Sequence, residues 1–245
     1  MDTPSFKEDH ISQIPALQML ANLGYTYLSP AEAERLRGGK RSNVLLEDIL
    51  RKQLKEINSI KVSALKTSIF TDENIERGIL VLKNLPMNEG YIVACEKAYN
   101  LITLGHALEQ SIDGDKKSFT LQYIDWKNIS NNVFHVTEEY KASRSVSNDI
   151  SKYIPDIILF INGIPVCIIE CKRPDMKEPL KQAISQHLRN QQEDGIRSLY
   201  VYSQLTLSIA TQEAAYATNA TPEKFWAKWL EKFSNEEEEQ NFKTK

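Results

Sequence analysis

Three ionisable residues interrupt an otherwise apolar stretch, residues 155–174, with the sequence PDIILFINGIPVCIIECKRP. Asp156 stands near its start, and Glu170 and Lys172 stand near its end. Apolar strands of this kind are usually covered on both faces of a sheet, where a carboxylate is unfavourable unless it is paired or holds a metal. The stretch therefore predicts that these three charged groups act together.

The two halves of this stretch are predicted to form a β-hairpin around Asn162-Gly163, and the pairing decides which side chains meet. If these two residues alone form the turn, Ile161 pairs with Ile164. Asp156 and Glu170 then project from opposite faces of the sheet, because side chains alternate along a strand. This register excludes a shared site.

A three-residue loop that ends with a left-handed Gly163 gives the other register, in which Phe160 pairs with Ile164. Glu170 is then a diagonal neighbour of Asp156 on the same face, at roughly 7–8 Å between Cα atoms. This register allows both carboxylates to bind one cation.

A site made of Asp156 and Glu170 is rich in hard oxygen ligands, with no histidine or thiolate at matching spacing. Such a site suits Mg²⁺ or Mn²⁺ better than Zn²⁺. Lys172 shares the face of Glu170, and it would orient a metal-bound water and stabilise negative charge at phosphorus. Two carboxylates that hold a divalent ion, with a lysine beside them, are the groups that metal-dependent phosphodiester hydrolysis uses.

Composition limits the class of protein. The chain has 245 residues, of which 41% are hydrophobic, so it is long enough for one large globular domain or two small ones. It has no apolar run of membrane-spanning length and no secretion signal, which predicts a soluble, cytoplasmic protein without a membrane partner. The three cysteines form no CxxC pair and are expected to be reduced.

Charge is distributed unevenly, although the net charge is only -3. Residues 35–66 carry nine Lys or Arg against three acids, an excess of six. Such a region either contacts DNA phosphates or forms ordinary solvated helix faces. The candidate DNA contacts are Lys40, Arg41, Arg51 and Lys52, together with Arg173 beside the triplet. Residues 236–245 are predicted to form an acidic tail or linker.

Hydrophobic periodicity predicts mainly helices before residue 110 and mainly strands after it. The expected helices start near Pro15, at the capping residue Ser29, at Asn43 and at Thr71, while 91–108 is ambiguous. Later segments predict strands in 119–136 and 155–172, a helix over 177–192, one or two strands in 198–211, and a final helix from Thr221. This order favours an α/β or α+β domain with one mixed sheet.

The triplet resembles the PD-(D/E)xK nuclease signature. Its setting, YIPDIILFINGIPVCIIECKRP, is similar to the core of the nuclease domain in the R subunit of type I restriction-modification enzymes. The likeness extends to LGYTYLSPAEAERLRGGKRSNVLLEDILRKQLKEIN, to NNVFHVTEEY and to ATPEKFWAKW. The resemblance implies a restriction-endonuclease-like fold, a mixed central sheet flanked by helices. The nuclease domain would span 1–235, with a helical part to about 110 and a sheet core over about 115–235.

The resemblance also implies roles. Asp156, Glu170, Lys172 and Gln186 would be catalytic, and a Mg²⁺ or Mn²⁺ ion would be bound by the two carboxylates and the backbone carbonyl of Cys171. The enzyme would be a type I site-specific deoxyribonuclease acting on double-stranded DNA.

The resemblance implies further partners as well. Superfamily 2 helicase domains would follow and translocate DNA at the expense of ATP, and modification (methyltransferase) and specificity subunits would assemble with them. The chain lacks G-x-x-x-x-G-K-[ST], since Glu34 stands where the first glycine belongs in the nearest fragment. ATP is therefore expected to bind only the helicase domains and not this chain.

Two positions depart from the family pattern. Many members carry Q-x-x-x-Y on the helix after the lysine, and this chain has Gln186 with Asn190 in place of the tyrosine. Many members also have a glutamate on the first helix, where this chain has Ser12, with Glu8 one turn earlier. Two alternatives stay open: a stand-alone repair or recombination nuclease, because the chain lacks the motor motif, and a catalytically silent docking module, which Asn190 would reflect.

Overall fold

The computed structural model describes residues 13–143, 153–173, 175–210, 213–230 and Gln240. Ser12, Glu8 and nearly all of the acidic tail lie outside these residues. The helices are α1 Ile14–Asn22, α2 Pro30–Leu36, α3 Glu47–Ile57, α4 Asp72–Lys83, α5 Tyr91–Leu104, α6 Pro179–Asn190 and α7 Arg197–Tyr200. None of these helices is long and apolar enough to cross a membrane.

In the part of the chain that the structure describes, two small ribbons and one large sheet make up the β structure. The ribbons pair β2 Ile60–Ser63 with β3 Lys66–Ser68, and β4 His106–Ile112 with β5 Asp115–Leu121. The large sheet contains β1 Thr26–Tyr27, β6 Phe134–Glu138, β7 Ile157–Ile161, β8 Ile164–Lys172, β9 Leu205–Ala210, β10 Glu213–Ala217 and β11 Ala227–Lys228. The strands are adjacent in this order. The predicted fold class, α/β with a mixed central sheet, is confirmed.

Both faces of the central hairpin β7–β8 are covered, as its apolar sequence predicts. On one face Ile169 and Cys171 pack in a cluster with α1, which contributes Leu17 and Leu20. On the other face Ile158 and Ile168 belong to the main core. Helix α6 packs across β8 and β9. β8 pairs with β7 in antiparallel and with β9 in parallel orientation, so it is an interior strand of a mixed sheet.

The hairpin turn consists of two residues, which is the first of the two alternatives that the sequence left open. Ile161 pairs with Ile164, and both Asn162 (φ 52°) and Gly163 (φ 84°) are left-handed. This is the two-residue turn that an Asn-Gly dipeptide favours, because its twist matches the twist of the flanking strands. Taken alone, the turn would place Asp156 and Glu170 on opposite faces.

A β-bulge in β8 reverses that outcome. Phe160 pairs with Pro165, but Leu159 pairs with Cys167, so one extra residue lies in β8 between these pairs. A bulge changes the register by one and turns every later side chain to the other face. Proline favours such a site because it has no N–H to donate to the neighbouring strand.

Beyond the bulge the register brings the two acids together. Ile157 pairs with Ile169, so Asp156 and Glu170 lie next to each other on the face opposite these isoleucines. They are directly opposed rather than diagonal. Asp156 and Glu170 therefore share a face, as expected, but a two-residue turn with a bulge produces this register and not a three-residue loop.

Several elements differ from the sequence prediction. The capping box of Ser29 and Glu32 and the Thr71 cap are present as predicted, but α3 begins at Glu47 rather than Asn43. The ambiguous segment divides into α5 and β4, and the segment 198–211 contains α7 before β9.

The predicted final helix is wrong. Residues Glu223–Phe225 form one short 3-10 turn, and β11 follows. The backbone N–H of Trp229 donates to Ala214, so pairing with the sheet edge overrides the helical spacing of the aromatic residues. Trp226 is 9% exposed and Trp229 is 58% exposed, so the two do not share a buried helix face.

The first prediction concerns the turn. In Gly163→Ala the new Cβ would lie 2.6 Å from the carbonyl oxygen of Leu46, at a φ that disfavours L-residues. Gly39 has a similar φ of +70° but nothing within 4 Å of a Cβ. We expect Gly163→Ala to lower the free energy of unfolding by roughly 3 kcal/mol, and Gly39→Ala by about 1 kcal/mol. Urea denaturation of both variants measures this difference, and equal losses would contradict the close packing of the turn against Leu46.

Candidate active site

The three charged side chains of the hairpin converge at one end of the sheet. Lys172 Nζ lies 3.9 Å from Asp156 Oδ2, and the backbone N–H of Cys171 donates to the same oxygen at 2.7 Å. Lys172 Nζ also donates to the carbonyl oxygen of Cys171 at 3.0 Å. Strand β8 therefore supplies the carboxylate of Glu170, the ammonium of Lys172 and a backbone carbonyl within three consecutive residues.

Glu170 is fully buried and is held by two amides from α6. Gln186 Nε2 donates to Glu170 Oε2 at 2.5 Å, and Asn190 Nδ2 donates to Oε1 at 3.5 Å. The two amides are four residues apart, which places them on one face of the helix. The predicted Gln186 thus contacts Glu170, and Asn190, which stands where the family has tyrosine, contacts the same carboxylate.

The electrostatics of the acidic pair favour a bound cation. Burial, and then the negative charge of Asp156, hold the pKa of Glu170 well above its usual range, while the charge of Lys172 acts in the opposite direction. Two adjoining carboxylates in a buried position repel each other, and a bound cation would offset this repulsion. Two carboxylates and the Cys171 carbonyl are hard oxygen ligands of the kind that Mg²⁺ and Mn²⁺ accept. The donor set fits such an ion.

Within the described residues, no three His, Cys, Asp or Glu side chains come together as a metal-binding group. A site here would consequently rest on two carboxylates and on backbone or water oxygens. Mg²⁺ is usually bound by only one or two protein carboxylates and keeps several waters. The small number of protein ligands is compatible with that ion.

An open groove of about 580 Å³ leads from Lys172 along α6. We call it the α6 groove. Its cationic residues are Lys172, Lys177, Lys181 and Arg189, its uncharged polar residues are Gln182, Ser185 and Gln186, and its acids are Glu178 and Glu223. Four cations against two acids leave an excess of two positive charges beside the carboxylate pair. The sequence prediction missed Lys177, Lys181 and Arg189, because they form no conspicuous basic run.

The candidate DNA contacts chosen from sequence are partly neutralised by acids. Arg51 lies beside the carboxylates of Glu47, Asp48 and Glu76. Lys52 pairs with Glu56 at 3.8 Å.

Two other candidates also have acidic neighbours. Arg41 lies 3.7 Å from Glu34, and Arg173 lies 3.4 Å from Asp175. Helix α3, which carries Arg51 and Lys52, starts against the hairpin turn, since Leu46 donates to Gly163 at 2.9 Å. The turn is roughly 20 Å from Glu170 along β8. A role of these residues in DNA binding stays a prediction.

Gln13, just before α1, is a residue that the sequence prediction passed over. Its side-chain amide donates to the backbone carbonyl of Asp156 and to Glu138 Oε2, each at 3.2 Å. The phenol of Tyr27 donates to the other oxygen of Glu138 at 2.7 Å. These contacts tie the first helix and the strands β1 and β6 to the segment that carries Asp156.

A mixed sheet that presents an aspartate, a glutamate and a lysine from adjoining strands defines the restriction-endonuclease-like class. The family described as "Type I restriction enzyme R protein N terminus" matches residues 5–225 of the chain. The chain belongs to this family, as the resemblance predicts.

Curated relatives agree with this assignment. A putative type I restriction enzyme MjaVIIIP endonuclease subunit of Methanocaldococcus jannaschii is 34% identical over 194 residues, which is 79% of this chain and 17% of the relative. The MjaIXP endonuclease subunit of the same organism, also putative, is 27% identical over 220 residues, 89% of this chain and 20% of the relative. The type I restriction enzyme HindI endonuclease subunit of Haemophilus influenzae is 28% identical over 203 residues, which is 80% of this chain and 18% of the relative. The chain spans about a fifth of the length of these relatives.

The second prediction concerns the buried imidazole of His187, which lies behind this site. Burial, with a smaller contribution from the charge of Lys172, lowers the pKa of His187 to about 3. In the unfolded chain its pKa is about 6.5, so the unfolded state binds more protons between these values and stability rises with pH. From pH 8 to pH 4 this single group should remove roughly 3 kcal/mol of unfolding free energy.

The variant His187→Gln has no imidazole to titrate, so this part of the pH dependence should be absent from it. Urea denaturation of both proteins from pH 4 to pH 8 gives the comparison. The remaining histidines and carboxylates are common to both chains and cancel in the difference. Parallel stability curves would show that His187 is not kept neutral by folding.

Proposed function

We propose that this chain is the metal-dependent DNA endonuclease domain of a type I restriction enzyme R subunit. The observation that carries the proposal is the register of the central hairpin, which puts Asp156 and Glu170 side by side on one face with Lys172 at 3.9 Å. The names of the relatives, all endonuclease subunits of type I restriction enzymes, support it.

The proposed mechanism assigns one task to each group. A Mg²⁺ or Mn²⁺ ion held by Asp156, Glu170 and the Cys171 carbonyl would polarise the scissile phosphate and lower the pKa of a bound water. Lys172 now donates to the Cys171 carbonyl, so its ammonium would have to move from that oxygen toward the substrate. There it would orient the attacking water and stabilise the negative charge that develops at phosphorus.

The α6 groove is the surface that we propose for the DNA backbone. It opens directly onto Lys172, and its cations Lys177, Lys181 and Arg189 are exposed. Phosphates held there would lie next to the carboxylate pair. The amides and hydroxyl of Gln182 and Ser185 are suitable donors to phosphate oxygens.

DNA translocation and sequence recognition would be carried out by other domains and subunits of a type I enzyme. Double-stranded DNA would be delivered to this site by ATP-driven translocation in helicase domains, and its sequence would be read by a specificity subunit beside a methyltransferase. The chain spans about a fifth of its relatives, which leaves ample length in such proteins for a motor. The cytoplasm is the compartment in which we place this assembly.

The third prediction tests the metal site. Asp156→Asn and Glu170→Gln keep the shape of each side chain but remove its charge. We expect Mn²⁺ binding, measured by calorimetry, to weaken at least about tenfold in each variant, and nicking of supercoiled plasmid to fall by roughly 100-fold or more. Glu96→Gln, at an exposed position of α5 outside the α6 groove, is the control and should behave as the wild type.

The outcomes separate the alternatives. Unchanged metal binding in both site variants would refute the site. Metal binding by the wild type without any cleavage, even when the chain is combined with an R subunit that lacks this segment, would indicate a silent docking module. Vigorous independent cleavage of junctions or flaps without complementation would indicate a stand-alone repair nuclease.

The fourth prediction tests the groove with two triple variants. Lys177, Lys181 and Arg189 are changed to Gln in one, and Lys40, Arg51 and Lys52 in the other. Each lost phosphate contact reduces the slope of log K against log salt by about 0.9, so the groove variant should lose about 2 to 3 units of slope. Fluorescence anisotropy with a short duplex, in EDTA to prevent cleavage, measures both. A larger loss of slope in the second variant would indicate that DNA binds the basic region 35–66 instead of the α6 groove.

A further inference from the structure

Three fully buried polar side chains lie behind Glu170: His187 and Asn190 on α6, and Tyr200 at the end of α7. His187 Nδ1 is 2.9 Å from the Tyr200 hydroxyl, and Asn190 Nδ2 is 3.4 Å from the same oxygen. Polar groups at this depth destabilise a fold unless each donor finds an acceptor. Their hydrogen-bond directions can be worked out in turn.

The imidazole fixes the first direction. His187 Nε2 lies 3.1 Å from the backbone carbonyl of Leu207, and a carbonyl can only accept, so Nε2 carries the proton. In a neutral imidazole Nδ1 is then the acceptor. The Tyr200 O–H must therefore donate to His187 Nδ1, and the phenol oxygen is left to accept from elsewhere.

The side-chain amide of Asn190 is the last group whose hydrogen-bond direction must be assigned. Both groups that it faces, the Tyr200 oxygen and the Glu170 carboxylate, are acceptors, so Asn190 must present its NH₂ to them. The opposite orientation would put its carbonyl oxygen against a carboxylate. In this orientation Asn190 Oδ1 is buried and has no hydrogen-bond partner among the residues that the structure describes.

We propose that Tyr200 and His187 are positioning residues, which lock the Asn190 amide so that it donates to Glu170 and holds this carboxylate ready for the metal. The inference rests on the proposed function. Tyr200 would supply, from outside α6, the phenol that the Q-x-x-x-Y pattern places on the helix itself. Donation then passes in one direction, from the Asn190 amide to the Tyr200 oxygen, from the Tyr200 hydroxyl to His187, and from His187 to the Leu207 carbonyl.

The chain between α6 and α7 is shaped to deliver this phenol. Ile196 donates to the carbonyl of Asn190 at 2.8 Å, which turns the backbone sharply at the end of α6. A Cβ on Gly195 would lie 2.3 Å from the same carbonyl oxygen, so only glycine allows the approach. Tyr200 follows one turn later and reaches back under Asn190.

The test compares Tyr200→Phe with Tyr202→Phe. Both remove one buried phenol hydroxyl, but Tyr202 donates to the Leu82 carbonyl, in the main core. We expect Mn²⁺ affinity of the full chain, measured by calorimetry, to fall about tenfold in Tyr200→Phe and to stay within twofold of the wild type in Tyr202→Phe. Thermal unfolding should show similar losses in both, which separates positioning from stability.

A double-mutant cycle with Asn190→Leu tests the route of the effect. If the hydroxyl acts through the amide, Tyr200→Phe should cause little further loss of Mn²⁺ affinity once Asn190 is replaced. Equal affinities for the wild type and Tyr200→Phe, or fully additive losses in the cycle, would overturn the inference. Absence of Mn²⁺ binding by the wild type would instead overturn the proposed function.

Discussion

Side-chain alternation is the constraint on which this site depends. Two carboxylates on neighbouring strands can share a cation only if the strands pair in the right parity, and a slip of one residue separates them by the thickness of the sheet. Here an Asn-Gly turn gives the wrong parity and a bulge after Pro165 restores the right one. Both features lie away from Asp156 and Glu170, toward the closed end of the hairpin. The juxtaposition of the two carboxylates at one end of the hairpin is therefore determined by backbone geometry at the other end.

The second constraint is the energy of burying Glu170 beside Asp156. Without a cation the pair is destabilising, as the raised pKa of Glu170 indicates. Gln186 and Asn190 offset part of this by donating hydrogen bonds, and Lys172 adds a positive charge nearby. The helix that covers the carboxylate also provides two of the four cations of the α6 groove, Lys181 and Arg189, on its exposed side. One element thus holds the Glu170 carboxylate and forms part of the adjoining surface.

The sequence was sufficient to predict the fold class, the position of most helices and the residues of the triplet. Apolar continuity and the Asp156, Glu170 and Lys172 spacing are local properties that a single sequence displays. The bulge was not predictable, because it depends on how β7 and β8 pair and not on a pattern within either strand. Tyr200 was missed for a related reason, since its segment resembles a strand and its contact with Asn190 exists only after the chain folds back.

The network behind Glu170 also bears on whether Asn190 marks a degenerate site. A module kept only for docking would gain stability by replacing a buried carboxylate and its polar neighbours with apolar side chains of similar volume. This chain instead keeps Glu170 with two amide donors, and each donor direction from Asn190 to His187 can be satisfied. Under the proposed positioning role the Tyr200 phenol acts in place of the tyrosine of the Q-x-x-x-Y pattern, so Asn190 alone does not identify a site that has decayed.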